Sequence, residues 1–411
     1  MAARRVAVTG AGVISPLGTT LEEFQRSLAA GRSGIRRLAP ALSERSGVQV
    51  GATLDWNPAP FFKEAEAANL DRVSQFALAA AAQAIAASGL RMADLNRDRI
   101  GVSWGTGMGG AHTQEATYRQ VYGDDEWRVR PLTVVMSMSN AASSNIAVRH
   151  GLRGPFASYS TACSSSAMAL GEAMRAIAAG RADAMIAGGS EALLTPGVLA
   201  AWQALRTLAP ADPADAAASC KPFDKRRAGL VLGEGAAAFI LEEESRARAR
   251  GAPIYGLLTG YGNTCDAVHM SRPDRDGQVR AMRDALAEAE LPPDAIGYIN
   301  AHGTATTVGD VVEAEAINTV FGPAAREVRV SSTKSLHGHL LGGSGALEFA
   351  AALLAFEGIL PPTGFLEQPD PACVLRHVAR TAERVAPPPR AVMSNSFAFG
   401  GSNVVLVAAR A

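Results

Sequence analysis

The sequence has few cysteines, and their positions exclude two common structural uses. Four cysteines occur in 411 residues, with no CxxC pair and no zinc-like spacing with the seven histidines. Neither a disulfide framework nor a metal site is therefore predicted. Unpaired thiols of this kind are typical of a reducing compartment, and we expect the protein in the cytoplasm.

An excess of either charge is also absent, because 39 basic side chains balance 39 acidic ones. The overall balance does not favour nucleic acid or a polyanionic surface as a partner. Long hydrophobic runs are missing as well, since stretches such as residues 349–356 fall far short of the roughly 18 residues that a membrane span needs. The apolar stretch after Arg5 is likewise too short for a signal peptide. We expect neither a nucleic-acid partner nor membrane insertion.

Short apolar runs alternate with alanine-rich stretches in both halves of the chain. This alternation predicts an α/β fold. An arginine-rich helix end at residues 242–250, followed by Gly251 and Pro253, is the best candidate seam. We therefore expect two fused α/β halves, residues 1–252 and 253–411. The predicted strands include 6–9, 100–104, 184–187, 236–241, 298–301, 328–331, 392–394 and 404–407, and the predicted helices include 21–30, 71–88 and 345–356.

Cys163 begins a helix that is apolar or small around most of its circumference, over residues 164–179. Such a helix is expected to lie buried between layers. At its start, unpaired backbone N–H groups and the positive end of the helix dipole favour a thiolate. Most free cysteines are simply buried apolar residues, but the small residues on both sides of Cys163 leave space for a substrate. Cys163 is therefore the candidate nucleophile, and the other three cysteines are expected to be structural.

Two histidines lie in loops that follow apolar strands. His302 comes directly after a predicted strand, where it could serve chemistry or cap a turn, and His339 lies in a glycine-rich stretch that indicates close backbone packing. Lys334 could point into the same site, although an ordinary solvated lysine is the alternative. Glu348 interrupts an apolar helix and would need a buried partner such as Lys334.

Two glycine-containing segments need separate interpretation. Residues 395–403 could be a plain hairpin connection, or a mobile loop whose N–H groups stabilise an oxyanion while Phe399 covers a pocket. Gly105, Gly107 and Gly110 match GxGxxG after a strand, but no following strand ends in an acidic residue that could bind a ribose. Dinucleotide binding is therefore disfavoured.

Four motifs together resemble those of the elongating β-ketoacyl-acyl-carrier-protein synthases, the type II condensing enzymes of the thiolase superfamily. The similarity runs from Val6 to Val407. It implies a thiolase-like five-layered αβαβα core of two similar halves, and a dimer. The motifs are Thr161-Ala162-Cys163-Ser164-Ser165, Asn300-Ala301-His302-Gly303-Thr304, Ser332-Thr333-Lys334-Ser335 with Gly338-His339, and Asn395-Ser396-Phe397 with Phe399-Gly400-Gly401.

The resemblance implies acyltransferase chemistry: decarboxylative Claisen condensation of an acyl group on Cys163 with malonyl-carrier protein, which extends a fatty-acid or polyketide or polyene chain by two carbons. His302 and His339 would donate hydrogen bonds to the malonyl thioester oxygen, and the backbone N–H groups of Cys163 and Phe399 would form the oxyanion hole. The implied catalytic residues are Cys163, His302, His339, Lys334, Glu348 and Phe399.

The resemblance also implies how substrates reach the site. They arrive on the phosphopantetheine arm of an acyl carrier protein, so no bound cofactor and no metal are expected. The implied substrate-binding residues are Thr304 and Thr306 for the arm, Met108 and Trp202 at the acyl pocket or dimer interface, and Gly400 in the mobile loop. The candidate carrier-docking residues are Lys63, Arg72, Arg128, Arg130 and Arg206.

Three positions depart from the family pattern. His337 stands where threonine is usual, Ala398 replaces a glycine before Phe399, and Thr307-Val308 replaces a proline-containing turn. Substrate length, pathway and gating therefore stay open.

Two alternatives follow from related proteins. A thiolase acting on coenzyme A thioesters would use a second cysteine in a glycine motif, and Cys373 lies outside any such motif. A non-condensing partner subunit resembling a chain-length factor would typically lack the nucleophile. The assembly could be a homodimer, or a heterodimer with such a partner.

Overall fold

The alternating pattern folds as an α/β protein, and the computed structural model describes residues 4–411 apart from the side chain of Ala93. Residues 1–3 of the predicted N-terminal half lie outside the described residues. The strands are β1 (Val6–Ile14), β2 (Ile35–Arg37), β3 (Val50–Ala52), β4 (Ile100–Gly105), β5 (Phe156–Tyr159), β6 (Ala184–Glu191), β7 (Gly235–Glu243), β8 (Gly256–Cys265), β9 (Ile296–Asn300), β10 (Arg329–Ser331), β11 (Ile359–Leu360), β12 (Arg376–His377), β13 (Glu383–Arg384), β14 (Ala391–Phe397) and β15 (Ser402–Ala409).

The α-helices fill the connections between these strands. They are α1 (Leu21–Ala29), α2 (Pro40–Ser46), α3 (Glu64–Ala67), α4 (Arg72–Ser88), α5 (Ala111–Tyr118), α6 (Thr133–Ser137), α7 (Ala141–His150), α8 (Ser165–Ala178), α9 (Pro196–Ala204), α10 (Glu244–Ala249), α11 (Arg275–Glu288), α12 (Gly309–Phe321), α13 (Lys334–His337) and α14 (Ser344–Leu353). Within residues 4–411, no helix is both long enough and apolar enough to cross a membrane.

Eleven strands form one sheet in the order β12-β10-β9-β14-β15-β8-β1-β7-β6-β4-β5. The two sets β5-β4-β6-β7-β1 and β10-β9-β14-β15-β8 repeat one pattern, with two parallel pairings followed by two antiparallel ones. The sets meet where β1 pairs with β8, from Val6 with Leu258 to Val8 with Gly256. The sheet is therefore made of two similar halves, as predicted.

Helices pack on both faces of each half-sheet and complete five layers. The helices α4 and α7 pack together and cover one outer face, while α11 and α12 cover the other. Between the half-sheets lie α8 and α14, whose apolar residues belong to the largest core cluster. The predicted αβαβα core is confirmed, and the helix after Cys163 lies in its central layer.

Local sequence explains the ends of the long outer helix α4. The Asp71 carboxylate accepts a hydrogen bond from the Val73 N–H and caps the first turn. Gly89, with φ 67°, ends the helix in the left-handed conformation that glycine adopts easily. The predicted span of 71–88 is thus correct to within one residue.

Sequence pattern did not single out β8, the ten-residue strand that joins the two halves. Gly260 and Gly262 are required by close packing of α11, because Cβ atoms there would lie 2.1 Å from the Ala285 carbonyl oxygen and 1.9 Å from the Ala281 carbonyl oxygen. Glycine has low strand propensity, so close packing against a helix overrides the local preference.

Candidate active site

A cavity of about 400 Å³ opens between the two halves of the fold. Cys163 reaches it from the first half and His302 and His339 from the second. The cavity brings together eight residues that the sequence predicted for the site, namely Cys163, Trp202, Arg206, His302, Thr304, Thr306, His339 and Phe399.

Cys163 lies in a single tight turn, Ala162–Ser164, directly before α8. Ala162 has φ 51°, a left-handed conformation that is unusual for alanine and is often found at functional sites. The Ser165 hydroxyl donates to the Ala162 carbonyl at 2.6 Å and accepts from the Thr161 N–H at 2.9 Å. These bonds hold the turn that presents Sγ at the start of a buried helix.

The Cys163 thiol is 6% exposed and lies among hydrogen-bond donors. Burial raises its pKa to about 12, while the Lys334 charge and the Phe399 backbone N–H lower it. The His339 Nε2 atom is 3.0 Å from Sγ. The resting thiol is therefore protonated, and the surrounding donors stabilise a thiolate or an oxyanion that forms during reaction.

The loop that carries His302 is fixed by a carboxylate from α12. Glu313 accepts from the His302 N–H at 2.8 Å and from the Gly303 N–H at 2.7 Å, and the Asn395 side-chain amide donates to it at 3.1 Å. Glu313 is fully buried, and burial raises the pKa of its carboxyl group. Glu313 therefore holds the backbone of His302 in one position after the end of β9.

The hydrogen bonds of His302 determine which ring nitrogen carries its proton. Lys334 Nζ lies 3.3 Å from Nδ1 and also donates to the His302 carbonyl at 2.6 Å. An ammonium group can only donate, so Nδ1 accepts and Nε2 carries the proton. Burial and the charge of Lys334 hold the His302 pKa well below its usual value. His302 is therefore a neutral hydrogen-bond donor.

His339 reaches the same state through a hydroxyl group. Ser344 Oγ accepts from the Leu340 N–H at 2.8 Å and lies 2.8 Å from His339 Nδ1, which is the one acceptor that the described residues offer to the Ser344 hydroxyl hydrogen. Nε2 then carries the proton and faces Sγ of Cys163. Burial and Lys334 hold the His339 pKa well below its usual value, and the two imidazole rings meet edge to face, 5.4 Å apart. Two neutral N–H donors thus converge beside the thiol.

The predicted pairing of Lys334 with Glu348 is confirmed. Both side chains are completely buried and form an ion pair behind the histidines. Burial raises the pKa of Glu348 to about 7, and the Lys334 charge opposes that rise. Glu348 therefore keeps a charged lysine inside the core, where it orients His302.

Cys163, His302 and His339 also have the spacing of a metal site, with their ligand atoms within 4.8 Å of one another. A metal would need the Nε2 lone pairs, with each Nδ1–H donating to an acceptor. Lys334 cannot accept a hydrogen bond from His302. The hydrogen-bond pattern therefore favours two N–H donors over a metal ion.

The loop between β14 and β15 closes one side of the cavity with two stacked rings. Phe399 lies 5.9 Å from the Trp202 ring, with 16° between their planes. The Gly400 N–H donates to the Met270 carbonyl at 2.7 Å, and the Gly400 φ of 85° needs glycine. Thr304 and Thr306 also line the cavity, and their hydroxyls lie 3.1 Å apart.

The remaining predicted residues lie outside the cavity lining. Met108 is 39% exposed, and Lys63, Arg128 and Arg130 are exposed. Arg72 forms two hydrogen bonds with Glu234, at 2.7 and 2.8 Å. The Arg72 charge is balanced inside the chain, and we leave it out of the docking surface proposed below.

Sequence reasoning missed three residues that organise the site, Glu313, Ser344 and Glu191. Glu191 is fully buried and accepts from the Gly107 N–H at 2.6 Å and the Gly342 N–H at 3.0 Å, which joins loops from the two halves. Glu313 and Glu191 carried one usable signal, because each is a carboxylate within an apolar segment. Ser344 carried none, since serine is common in glycine-rich turns.

Comparison with known proteins agrees with this geometry. The family model "Beta-ketoacyl synthase, N-terminal domain" matches residues 3–247, and "Beta-ketoacyl synthase, C-terminal domain" matches residues 255–367. The chain is similar to 3-oxoacyl-[acyl-carrier-protein] synthase 2 of Synechocystis sp., with 41% identity over 98% of this chain and 97% of the relative.

Two solved structures share the whole fold. One is the ishigamide ketosynthase/chain length factor, with a TM-score of 0.92, 33% identity and complete coverage of both chains. The other is a type II PKS acyl-carrier protein in complex with its ketosynthase bound to the hexaketide, with a TM-score of 0.90, 30% identity and complete coverage of both chains. The fold, the site and both matched domains show that the chain belongs to the β-ketoacyl synthase family.

Proposed function

We propose that this chain is a β-ketoacyl-acyl-carrier-protein synthase that joins an acyl group on Cys163 to a malonyl unit. One observation carries the proposal: two neutral imidazole N–H groups, from His302 and His339, converge on the cavity beside the Cys163 thiol. Acyl transfer alone needs no such pair of donors. An enolate formed by decarboxylation does, because it concentrates negative charge on one oxygen.

In the first step, the Cys163 thiolate attacks the thioester carbon of an acyl-carrier protein. A new S–C bond forms, the bond to the pantetheine sulfur breaks, and the proton of the Cys163 thiol passes to the departing sulfur, so the carrier leaves as a thiol. The backbone N–H groups of Cys163 and Phe399 hold the oxyanion of the tetrahedral intermediate. Covalent transfer of this kind splits a difficult reaction into two easier ones and gives ping-pong kinetics.

In the second step, malonyl-carrier protein loses carbon dioxide, and the electron pair of the broken C–C bond forms an enolate. His302 and His339 donate to the enolate oxygen while remaining neutral, and Lys334 holds the His302 ring in the donating tautomer. The enolate carbon attacks the acyl carbon on Cys163, a new C–C bond forms, and the thiolate leaves. The product is a β-ketoacyl chain two carbons longer.

We infer that both substrates arrive on the phosphopantetheine arm of an acyl carrier protein. Thr304 and Thr306 line the cavity wall and are suited to contact the arm. The exposed cations Lys63, Arg128, Arg130 and Arg206 are the proposed contacts for an acidic carrier surface. A structural neighbour that pairs a ketosynthase with its acyl-carrier protein supports this partner.

The assembly that we propose is a dimer, either of two such chains or with a subunit resembling a chain-length factor. The second form is supported by the structural neighbour described as a ketosynthase/chain length factor. A non-condensing role for this chain itself is disfavoured by Cys163, His302 and His339 lying together. We also propose that the first half ends at residue 252 and the second begins at residue 253. The proposed location of the protein is the cytoplasm.

The test is a single-turnover condensation with a panel of acyl-carrier proteins. The enzyme is acylated, separated from excess carrier and mixed with malonyl-carrier protein. Equal amounts of carbon dioxide and of a β-ketoacyl-carrier product two carbons longer would support the proposal. Acyl transfer without a condensed product, across saturated and polyene chains and with candidate partner subunits added, would overturn it.

A further inference from the structure

His337 is a buried histidine that the proposed mechanism does not use. It is completely buried, and it does not line the cavity. Both of its ring nitrogens have partners: Nδ1 lies 2.7 Å from the Gly338 carbonyl oxygen, and Nε2 lies 2.9 Å from Thr333 Oγ1. A fully satisfied ring in this position holds its neighbours in place.

The partners of His337 connect the three segments that carry His302, Lys334 and His339. Thr333 Oγ1 also accepts from the Asn300 side-chain amide at 3.2 Å. Asn300 lies two residues before His302, Thr333 lies directly before Lys334, and His337 lies two residues before His339. One buried chain of hydrogen bonds therefore joins the segments of these three residues.

The direction of each bond follows from the available donors. The Gly338 carbonyl can only accept, so His337 Nδ1 carries the proton and donates to it, and the Nε2 atom of this neutral ring accepts from the Thr333 hydroxyl. The next N–H, from His339, donates to the Val231 carbonyl at 2.7 Å. Both sides of the Gly338–His339 peptide are thus fixed by hydrogen bonds, and this peptide sets where the His339 ring lies.

We propose that His337 is a positioning residue that holds the His339 N–H donor where it and the His302 N–H donor can reach the same oxygen. The inference rests on the proposed function, because the position of the His339 ring affects the rate when two donors must reach one enolate oxygen. Misplacement of a catalytic group by about 1 Å can lower a rate about 10²-fold. Acylation of Cys163 depends mainly on backbone N–H groups and should be less sensitive.

The experiment compares His337→Ala with His337→Asn, whose amide can still donate to the Gly338 carbonyl. Decarboxylation of malonyl-carrier protein and acylation of Cys163 are measured separately. We expect His337→Ala to lower kcat for decarboxylation at least about tenfold, with KM and acylation changed less than about threefold. His337→Asn should restore most of the lost kcat. If the alanine variant does not fold, the same comparison is made between His337→Asn and His337→Gln, in which the asparagine variant should be faster.

The matched control is His377→Ala, because His377 Nε2 also bonds a backbone carbonyl, that of Cys373, at 3.0 Å. It should leave the ratio of the two half-reactions unchanged. With ¹⁵N-labelled histidine, NMR should show His337 protonated at Nδ1 and His339 at Nε2, and the His339 signal should shift in His337→Ala.

Two results would overturn the positioning role. A folded His337→Ala variant that decarboxylates malonyl-carrier protein at the wild-type rate would show that the contact is dispensable. An equal fall in the rates of decarboxylation and of acylation would show a purely structural role. Absence of decarboxylation by the wild-type enzyme would instead count against the proposed function.

Discussion

The catalytic cluster and the docking cations are built in opposite ways. The catalytic cluster, defined as Cys163, His302, Lys334, His339 and Glu348, is at most 9% exposed, and each member contacts another member through a hydrogen bond or an ion pair. The docking cations, defined as Lys63, Arg128, Arg130 and Arg206, are exposed to solvent. Buried charges interact strongly, whereas exposed charges are screened by water and salt. Changes in the cluster should therefore have large effects, and changes in the docking cations should have small, salt-dependent ones.

The largest effect is expected from breaking the buried ion pair. Lys334→Ala leaves the Glu348 carboxyl buried without its partner, which typically costs about 3–5 kcal/mol of stability. The measurement is the free energy of unfolding in urea. The matched control is Arg36→Ala, which removes an exposed pair with Asp55 and should cost about 0–1 kcal/mol. Equal losses in the two variants would break the comparison.

The next largest effect concerns the two N–H donors. His302→Ala and His339→Ala should each lower the rate of decarboxylation about 10²–10³-fold, because each removes one donor from the enolate oxygen. Radiolabelled carbon dioxide release measures this step. His150→Ala, which changes a histidine at the end of α7, should not alter the rate. Loss of acylation with decarboxylation unchanged would assign the histidines a different role.

A third effect is expected in the pH dependence of stability. Burial raises the pKa of Asp310 from 3.8, its value in the unfolded chain, to about 7 in the folded protein. The stability that this carboxyl group contributes is therefore complete below pH 3.8 and is lost as the pH rises through about 7. One pKa unit corresponds to about 1.4 kcal/mol, so a rise of about three units corresponds to a loss of up to about 4 kcal/mol. The free energy of unfolding in urea, measured between pH 4 and pH 8, should fall with rising pH in wild type, so that Asp310→Asn becomes more stable relative to wild type as the pH rises.

The exposed Asp284 provides the control for this measurement. Asp284→Asn should follow the wild-type curve at every pH. If Asp310→Asn does the same, burial does not control the protonation of Asp310, and the comparison loses its physical basis.

The smallest effect is expected at the docking cations. Arg206→Glu should raise KM for acyl-carrier protein several-fold at low salt with little change in kcat, because an exposed charge contributes mainly to encounter. The difference should shrink as salt is raised. Arg390→Glu makes the same charge change at another exposed position and should leave KM unaffected. A KM effect of equal size in both variants would exclude a local docking surface.

Much of the catalytic cluster could be predicted because unusual residues stand out against their surroundings. Glu348 in an apolar helix required a buried partner, and Lys334 was the nearby candidate. Cys163 stood at the start of a helix without a polar face. The two halves were visible from strand runs at both ends of the chain, although their identical pairing pattern depends on contacts between residues far apart in sequence.

The remaining features could not be read from one sequence, for two physical reasons. The strand β8 is set by how closely α11 approaches, which overrides the low strand propensity of its glycines. The roles of Ser344 and Glu313 depend on which backbone N–H groups the fold places beside them. Likewise, Arg72 was a reasonable docking candidate until its pairing with Glu234 was known.

The most direct test of the account is intact-mass analysis of wild type, Cys163→Ala and Cys265→Ala after incubation with acyl-carrier protein. Cys265 is the exposed free cysteine and serves as the control for non-specific labelling. The account predicts one acyl adduct on wild type and on Cys265→Ala, none on Cys163→Ala, and loss of the adduct when malonyl-carrier protein is added. An adduct that persists in Cys163→Ala, or that malonyl-carrier protein does not discharge, would contradict it.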